Sequence, residues 1–258
     1  MTHYALIGGG RLARHMRHYL TLSDLAASGW TRDRLNSFNS HSQIDSEQRL
    51  RATIEPATHV LLLVTDTAIP KILKTYPFLH EKQLVHCSGA FSLPGVIGAH
   101  PLMTFGPDLY DLEHYQRIPF MIDSGHAMAD VLPGLSNPHH QISVDQKARY
   151  HALCVMAGNF SQILWSAAVD GFESMGLPPE ALNPYLHQVV DNFTAAPDLA
   201  LTGPLSRNDT STIDRNLQSL EGSPLQPVYQ SFIELHRARS QSDSGQDMER
   251  EMGREIAV

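Results

Sequence analysis

Cysteine is nearly absent from this chain of 258 residues, where only Cys87 and Cys154 occur. Two cysteines build no disulfide framework and supply neither zinc-ligand spacing nor a Cys-x-x-Cys redox pair, so a reducing, cytoplasmic setting is expected. Long apolar runs are lacking as well. Runs such as Val60 to Val64 fall far short of the ~20 residues that a membrane-spanning helix needs, so no membrane insertion is expected. The first residues show no basic stretch followed by a long apolar run, so no export signal is expected. Positive charge is in deficit, with Lys+Arg at 19 against Asp+Glu at 27 and a formal net charge of -8, and no basic patch offsets it. Such a balance repels nucleic acid, and no nucleic-acid partner is expected. Lysine itself is missing beyond Lys147.

Histidine is not scarce, at 15 residues, yet the spacings that hold metals are missing. Neither His-Glu-x-x-His nor His-x-His occurs. His86, His100, His139, His140 and His151 could cluster only through the fold, and the adjacent His139 and His140 would point opposite ways in a strand. The expectation is no metal.

The first half alternates strand-like and helix-like segments, the pattern of a parallel sheet covered by helices. Tyr4 to Ile7 reads as the first strand, and Leu12, Met16, Tyr19 and Leu20 recur at helical spacing over Arg11 to Leu25. A short strand is placed near Ser28 to Thr31. The stretch from Arg32 to about Pro56 is polar and poorly patterned. His59 to Val64 reads as a central strand buried on both faces. Thr67 to Leu79 reads as a helix, and Leu84 to Cys87, Ile118 to Ile122 and Gln141 to Val144 as further strands. Beyond Asp145 long helical periodicity takes over, from Gln146 through Met175 and from Pro179 to Phe193. Pro197, Gly203 and Pro204 then mark a loop, Asp209 or Thr210 suits a helix cap, and from Arg237 the chain reads as a helix end with a partly mobile tail. The fold expected is α/β: an N-terminal Rossmann domain with a doubly wound parallel sheet over residues 1–144, followed by an all-α domain over 145–258.

Gly8-Gly9-Gly10-Arg11-Leu12-Ala13 fits Gly-x-Gly-x-x-Ala, the dinucleotide fingerprint in which the last small residue lets helix and strand pack closely. It lies between a strand and a helix, where Gly8 allows the tight turn, Gly10 lets the backbone approach a pyrophosphate, and the helix start presents amides to that anion. About 20 residues on, an acid would favour NAD and an arginine the 2′-phosphate of NADP. The sequence there is Trp30-Thr31-Arg32-Asp33-Arg34. Thr31 and Arg32 suit a phosphate monoester, so NADP is expected, with Asp33 the one residue that points to NAD. Thr65 and Asp66 end a buried strand on the ligand side of the sheet; Asp66 could also simply cap the next helix. Ser88 and Gly89 follow the next strand. His86 and His100 are candidate catalytic residues, because an imidazole can give a proton to a carbonyl oxygen as hydride arrives. Each of these residues also has a plain structural role open to it.

These motifs, together with Tyr150-His151-Ala152, Gly158-Asn159-Phe160 and the run from Ala200 to Asp209, resemble the Rossmann-like oxidoreductases that join an NADP-binding domain to a helical C-terminal domain of unassigned function. The group is distantly similar to pyrroline-5-carboxylate reductase and ketopantoate reductase. The resemblance implies hydride transfer to or from a small carbonyl or imine metabolite, and substrate contacts from Asn159, Thr202, Gly203 and Arg207. It also implies, together with the length of the apolar helices, a homodimer. Two departures stand out. Relatives that act on hydroxyacids carry a helix lysine one turn before the asparagine, where this chain has Val155, which tilts the expectation toward an imine or toward histidine as the acid unless Lys147 reaches the cleft. Asn208 stands where the group usually has glycine, and asparagine tolerates the same left-handed backbone. The competing reading is a non-catalytic NADP(H)-binding sensor or scaffold; a metal-dependent hydrolase would require bound metal.

Overall fold

The structure is a computed structural model that describes residues 1–31 and 40–255, with side chains described for 1–31 and 46–241. The chain divides into two compact units, Met1–Ser166 and Ala167–Val258. This division falls about 20 residues beyond the change of pattern at Asp145, because the first helix after the sheet belongs with the sheet.

The first unit is built on seven strands: β1 (His3–Ile7), β2 (Ala26–Trp30), β3 (His59–Leu62), β4 (Gln83–His86), β5 (Ile97–Pro101), β6 (Phe120–Asp123) and β7 (His139–Ile142). Their order in the sheet is β2-β1-β3-β4-β5-β6-β7. All neighbours run parallel except β5 and β6. The chain leaves β1 toward β2 on one side and returns to β3 on the other, so the strand order reverses at β1. In open α/β sheets, ligand crevices form at that switch point, at the carboxyl ends of the strands.

Residues of β1 alternate between two cores. Tyr4 and Leu6 join Leu61, Val85 and Phe120 on one face, where α1 (Arg11–Leu22) adds Ala13, Met16, Tyr19 and Leu20. Ala5 and Ile7 join Val60, Leu62 and Leu84 on the other, covered by α2 (Ser40–Ile54) and α3 (Ile69–Thr75). Both faces are thus dry, which is why these strands read as continuous apolar runs. Helix α2 was not legible in its polar sequence. Among the residues of α2 whose side chains are described, Ser46, Leu50 and Ile54, spaced by four, turn inward. Strand β5 also escaped detection, since Gly98 and Pro101 both argue against a strand; the proline sits at its last position, where a missing amide is tolerated. The expected helix over Thr67 to Leu79 is broken into a 3-10 turn, α3 and a second 3-10 turn that starts at Pro77.

Two short helices, α4 (Leu112–Arg117) and α5 (Met128–Val131), flank β6. After β7 comes α6 (Val144–Val155), opened by a capping box between Ser143 and Gln146. A π-helical turn spans Met156–Phe160, and α7 (Ser161–Ser174) continues from it. By length and composition Val144–Ser174 is apolar enough to cross a membrane, which corrects the expectation that no segment qualifies.

The second unit continues with α8 (Leu182–Ala195), α9 (Thr210–Ser219) and α10 (Leu225–Glu255). Among its described residues Leu182, Ile213 and Ile233 are buried apolar side chains, while Tyr185, Val189 and Phe193 on α8 lie exposed.

Candidate functional site

Five strands bring their ligand-side ends to one edge of the sheet: β1, β2, β3, β4 and β5. Gly8 follows β1 with φ +140, and a β-carbon there would run into the carbonyl oxygen of Leu63. Only glycine lets the turn pass so close beneath β3. Gly9 packs against Thr31 at the end of β2, where a β-carbon would meet Thr31 Cγ2 at 2.9 Å. Gly10 is the N-cap of α1, and nothing lies within 4 Å of the place its side chain would occupy. No side chain caps this helix start, so its first amides and the positive end of the helix dipole are presented to the space above Gly10. Arg11 is exposed and donates to the carbonyl of Phe105 at 3.1 Å; Leu12 is half-buried and Ala13 is buried against the sheet. Arg32 lies outside the described residues.

One strand further along, Asp66 and Ser88 meet. The Ser88 hydroxyl donates to Asp66 Oδ2 at 2.8 Å and accepts the amides of Ala90 and Phe91. This clamp fixes the loop after β4 to the loop after β3. Thr65 is exposed at the same edge. Gly89 is buried, because His151 Cδ2 and His100 Nε2 fill the space of its missing side chain, at 2.7 and 3.2 Å from where a β-carbon would be.

The two candidate histidines differ. His86 is fully buried on β4; its Nδ1 accepts the Ser88 amide at 3.2 Å, so its Nε2 carries the proton, and that atom has no hydrogen-bond partner. Burial, reinforced by the Lys147 ammonium, lowers its pKa to about 4. A sealed neutral imidazole cannot hand a proton to a ligand, which speaks against a role as acid. His100, at the end of β5, is half-buried. Its Nδ1 lies 2.7 Å from the hydroxyl of Tyr150, and the two rings meet edge to face. Burial, followed by His151, Lys147 and His86, lowers its pKa to about 4 as well. Both are therefore neutral at pH 7.

Helix α6 supplies what sequence reasoning missed. Lys147, Tyr150, His151 and Cys154 share one face at helical spacing; Lys147 lies against Gly98 of β5, Tyr150 against His100 and His151 against Gly89, with Cys154 beside Tyr150. Lys147 does not serve as a cleft lysine: it is buried, and its ammonium donates to Asp123 Oδ1 at 2.7 Å at the other end of β5 and β6. Tyr150 is held in its neutral form by burial and by the neighbouring Cys154 thiol. The signal available was the pair Tyr150-His151 placed one turn beyond Lys147. Asn159 is exposed within the π-helical turn, a distortion often found at functional sites.

Thr202, Gly203 and Arg207 lie in the second unit, in the turn-rich segment before α9. Gly203 has φ +97 and Asn208 φ +53, the left-handed backbone expected of that position. Among the described residues no group of three or more His, Cys, Asp or Glu side chains could hold a metal ion.

Residues 120–235 match the family model described as a domain of unknown function, DUF2520. No curated protein matches the sequence. Among solved structures, the chain is similar to a Bacteroides fragilis protein described as a candidate NADP oxidoreductase, at 21% identity over 91% of this chain and 97% of that one, with a TM-score of 0.71. It is similar to a Thermotoga maritima protein at 22% identity over 93% and 99%, with a TM-score of 0.62. Plasmodium falciparum pyrroline carboxylate reductase, solved with NADP bound, aligns at 11% identity over 94% and 99%, with a TM-score of 0.55. At these identities the likeness shows the fold. The resemblance drawn from the motifs is borne out: a Rossmann-like sheet precedes a helical region, and the family model over the later part of the chain carries no assigned function.

Proposed function

We propose that this chain is an NADP(H)-dependent oxidoreductase that moves hydride to or from a small carbonyl or imine metabolite. The observation that carries the reading is the glycine turn at the switch point: Gly8 lies tight under Leu63 and Gly10 leaves open space before an uncapped helix start. That is a cradle for a pyrophosphate, and a side chain at Gly10 would fill it. The NADP named with the Plasmodium neighbour, and the NADP activity named with the Bacteroides one, support the same cofactor. Bound there, NADP(H) would supply the hydride chemistry.

The chain's own part is binding and orientation. Gly8, Gly9, Gly10, Arg11, Leu12 and Ala13 cradle the pyrophosphate, with Thr31 and Arg32 toward the 2′-phosphate. The Asp66–Ser88 clamp lines the edge two strands on, and His100 donates to the reacting group. The carbonyl or imine reading rests on that imidazole at the ligand-side edge of the sheet and on the lack of a cleft lysine among the described residues. Within the first unit, Asn159 is proposed to recognise the substrate.

Calorimetric titration with NADPH and NADH tests the reading. NADPH should bind more tightly than NADH, and Arg32→Ala should remove the preference. Absence of binding to either would leave only the fold.

A homodimer belongs to the same proposal. In the first unit Leu153, Met156, Phe160 and Ile163 are each at least half exposed, a continuous apolar face that water does not favour. A second copy is favoured over a bilayer as its cover, because Asp145, Lys147 and Arg149 fall in the first turns of this helix and Lys147 is tied into the sheet. Sedimentation without detergent should give twice the chain mass; a monomer would refute it.

A further inference from the structure

We propose that Tyr150 and His100 form a proton wire whose open end, His100 Nε2, donates to the oxygen or nitrogen of the bound substrate. This rests on the oxidoreductase reading above and deepens it by adding Tyr150 as the group that stands behind the His100 donor and resupplies its proton. The tyrosine hydroxyl is 2.7 Å from Nδ1. With the phenol donating to Nδ1, the imidazole proton must sit on Nε2. Unlike Nε2 of His86, this atom is not sealed from solvent, and it makes no hydrogen bond among the described residues. It is a donor that the protein leaves unused, beside Gly89 at the carboxyl end of β4 and one strand beyond the Asp66–Ser88 clamp.

Three other candidate donors are set aside by position. His86 is sealed, Lys147 is spent on Asp123, and Ser88 gives its only hydroxyl proton to Asp66. A neutral imidazole is a suitable electrophile where charge develops during reaction, because it need not first lose a stable proton to a competing base. When a carbonyl carbon gains hydride, its carbon–oxygen π bond breaks and the pair moves to oxygen. The oxygen then takes the Nε2 proton, Nδ1 takes the phenol proton, and the half-buried phenolate is reprotonated by water. The two electrons come from the dihydronicotinamide of the proposed cofactor, which is oxidised as the carbonyl is reduced. The alkoxide is a stronger base than the phenolate even after burial raises the latter, so the transfer runs downhill. An iminium substrate already carries the positive charge and needs no proton in the same step.

In this arrangement Tyr150 is a positioning residue that acts through His100. Tyr150→Phe keeps the ring that packs edge to face on His100 and removes only the hydroxyl. The first readout needs no substrate: nitrogen NMR of histidine-labelled protein with NADPH added. Wild type should show His100 in the Nε2–H form, and Tyr150→Phe should mix the two tautomers. A wild-type His100 protonated on Nδ1 would overturn the proposal. The second readout uses cyclohexanone as a ketone probe and 1-pyrroline as an imine probe at acidic enough pH to protonate it. Tyr150→Phe should lower kcat for the ketone by about 100-fold or more and that for the iminium by less than about 5-fold, with NADPH affinity unchanged. Equal losses on both probes would assign Tyr150 to packing alone and overturn the wire. Failure of NADPH to bind wild type would instead remove the oxidoreductase reading, and the tautomer spectrum would still decide whether the pair exists.

Discussion

The ammonium of Lys147 and the carboxylate of Asp123 are joined at 2.7 Å inside the first unit, and the other carboxylate oxygen accepts the amide of Gly98 at 2.7 Å. Both side chains are almost fully buried. The pair ties α6 to β5 and β6 one turn below Tyr150 and His151, so it sets the height at which His151 stands over Gly89 and Tyr150 meets His100. Removing one partner strands the other charge in a dry site, which typically costs 3–5 kcal/mol. Lys147→Ala should therefore lower stability by about that amount in urea unfolding, and it should weaken any activity through misplacement of α6. A loss below about 1 kcal/mol would mean that water reaches the carboxylate.

Gly10 separates binding from folding. Its backbone, at φ -77 and ψ -176, is the extended conformation of an ordinary N-cap, and its side-chain position is empty. Gly10→Asp should fold normally and cap α1, as aspartate does at such positions. The same carboxylate would sit where the pyrophosphate is proposed to bind. NADPH affinity should fall by about 100-fold or more with an unchanged or slightly raised melting temperature. Retained affinity would move the cofactor away from this turn.

The neutral imidazoles predict a stability profile with pH. His86 and His100 titrate near 4 in the folded chain against about 6.5 when unfolded. Between these values the unfolded state binds more protons, so stability rises as pH climbs from about 4 to 6.5 and is level above. The loss on acidification reaches about 3 kcal/mol for sealed His86 and less for the half-exposed His100. Chemical denaturation at pH 7.5, 6 and 5 should show the falling midpoint, and His86→Phe should flatten part of it. A profile unchanged in that variant would place the acid sensitivity elsewhere.

The sheet was readable where burial on both faces made continuous apolar runs, as in Tyr4 to Ile7 and Val60 to Leu62, and where glycines followed directly. Helix α2 was not, because only three inward positions among the nine described from Ser46 to Ile54 leave no broad apolar stripe to see. The extent of strand β5 was hidden by Gly98 and Pro101, although His100 was expected near a strand end on the same edge as His86, where the structure has it. The cradle was legible because its residues are consecutive. The His100–Tyr150 pair was not, since 50 residues separate its members and only the docking of α6 against β5 brings them together.

The left-handed residue before α9 offers a test within the second unit. Asn208 has φ +53, its amide donates to the carbonyl of Leu205 at 3.2 Å, and Asp209 follows as the N-cap whose carboxylate accepts the Thr212 amide at 3.1 Å. The hydroxyl and amide of Thr212 hold the Asp209 carboxyl below its usual range. A residue with a β-carbon and no compensating side-chain amide is strained at this φ by about 1–2 kcal/mol, while glycine is not strained there. Asn208→Ala should thus lower the melting temperature, and Asn208→Gly should leave it within error or raise it slightly, with the loop intact in both. If alanine and glycine behave alike, the left-handed turn is not what holds the start of α9 in place, and the cap at Asp209 carries that role alone.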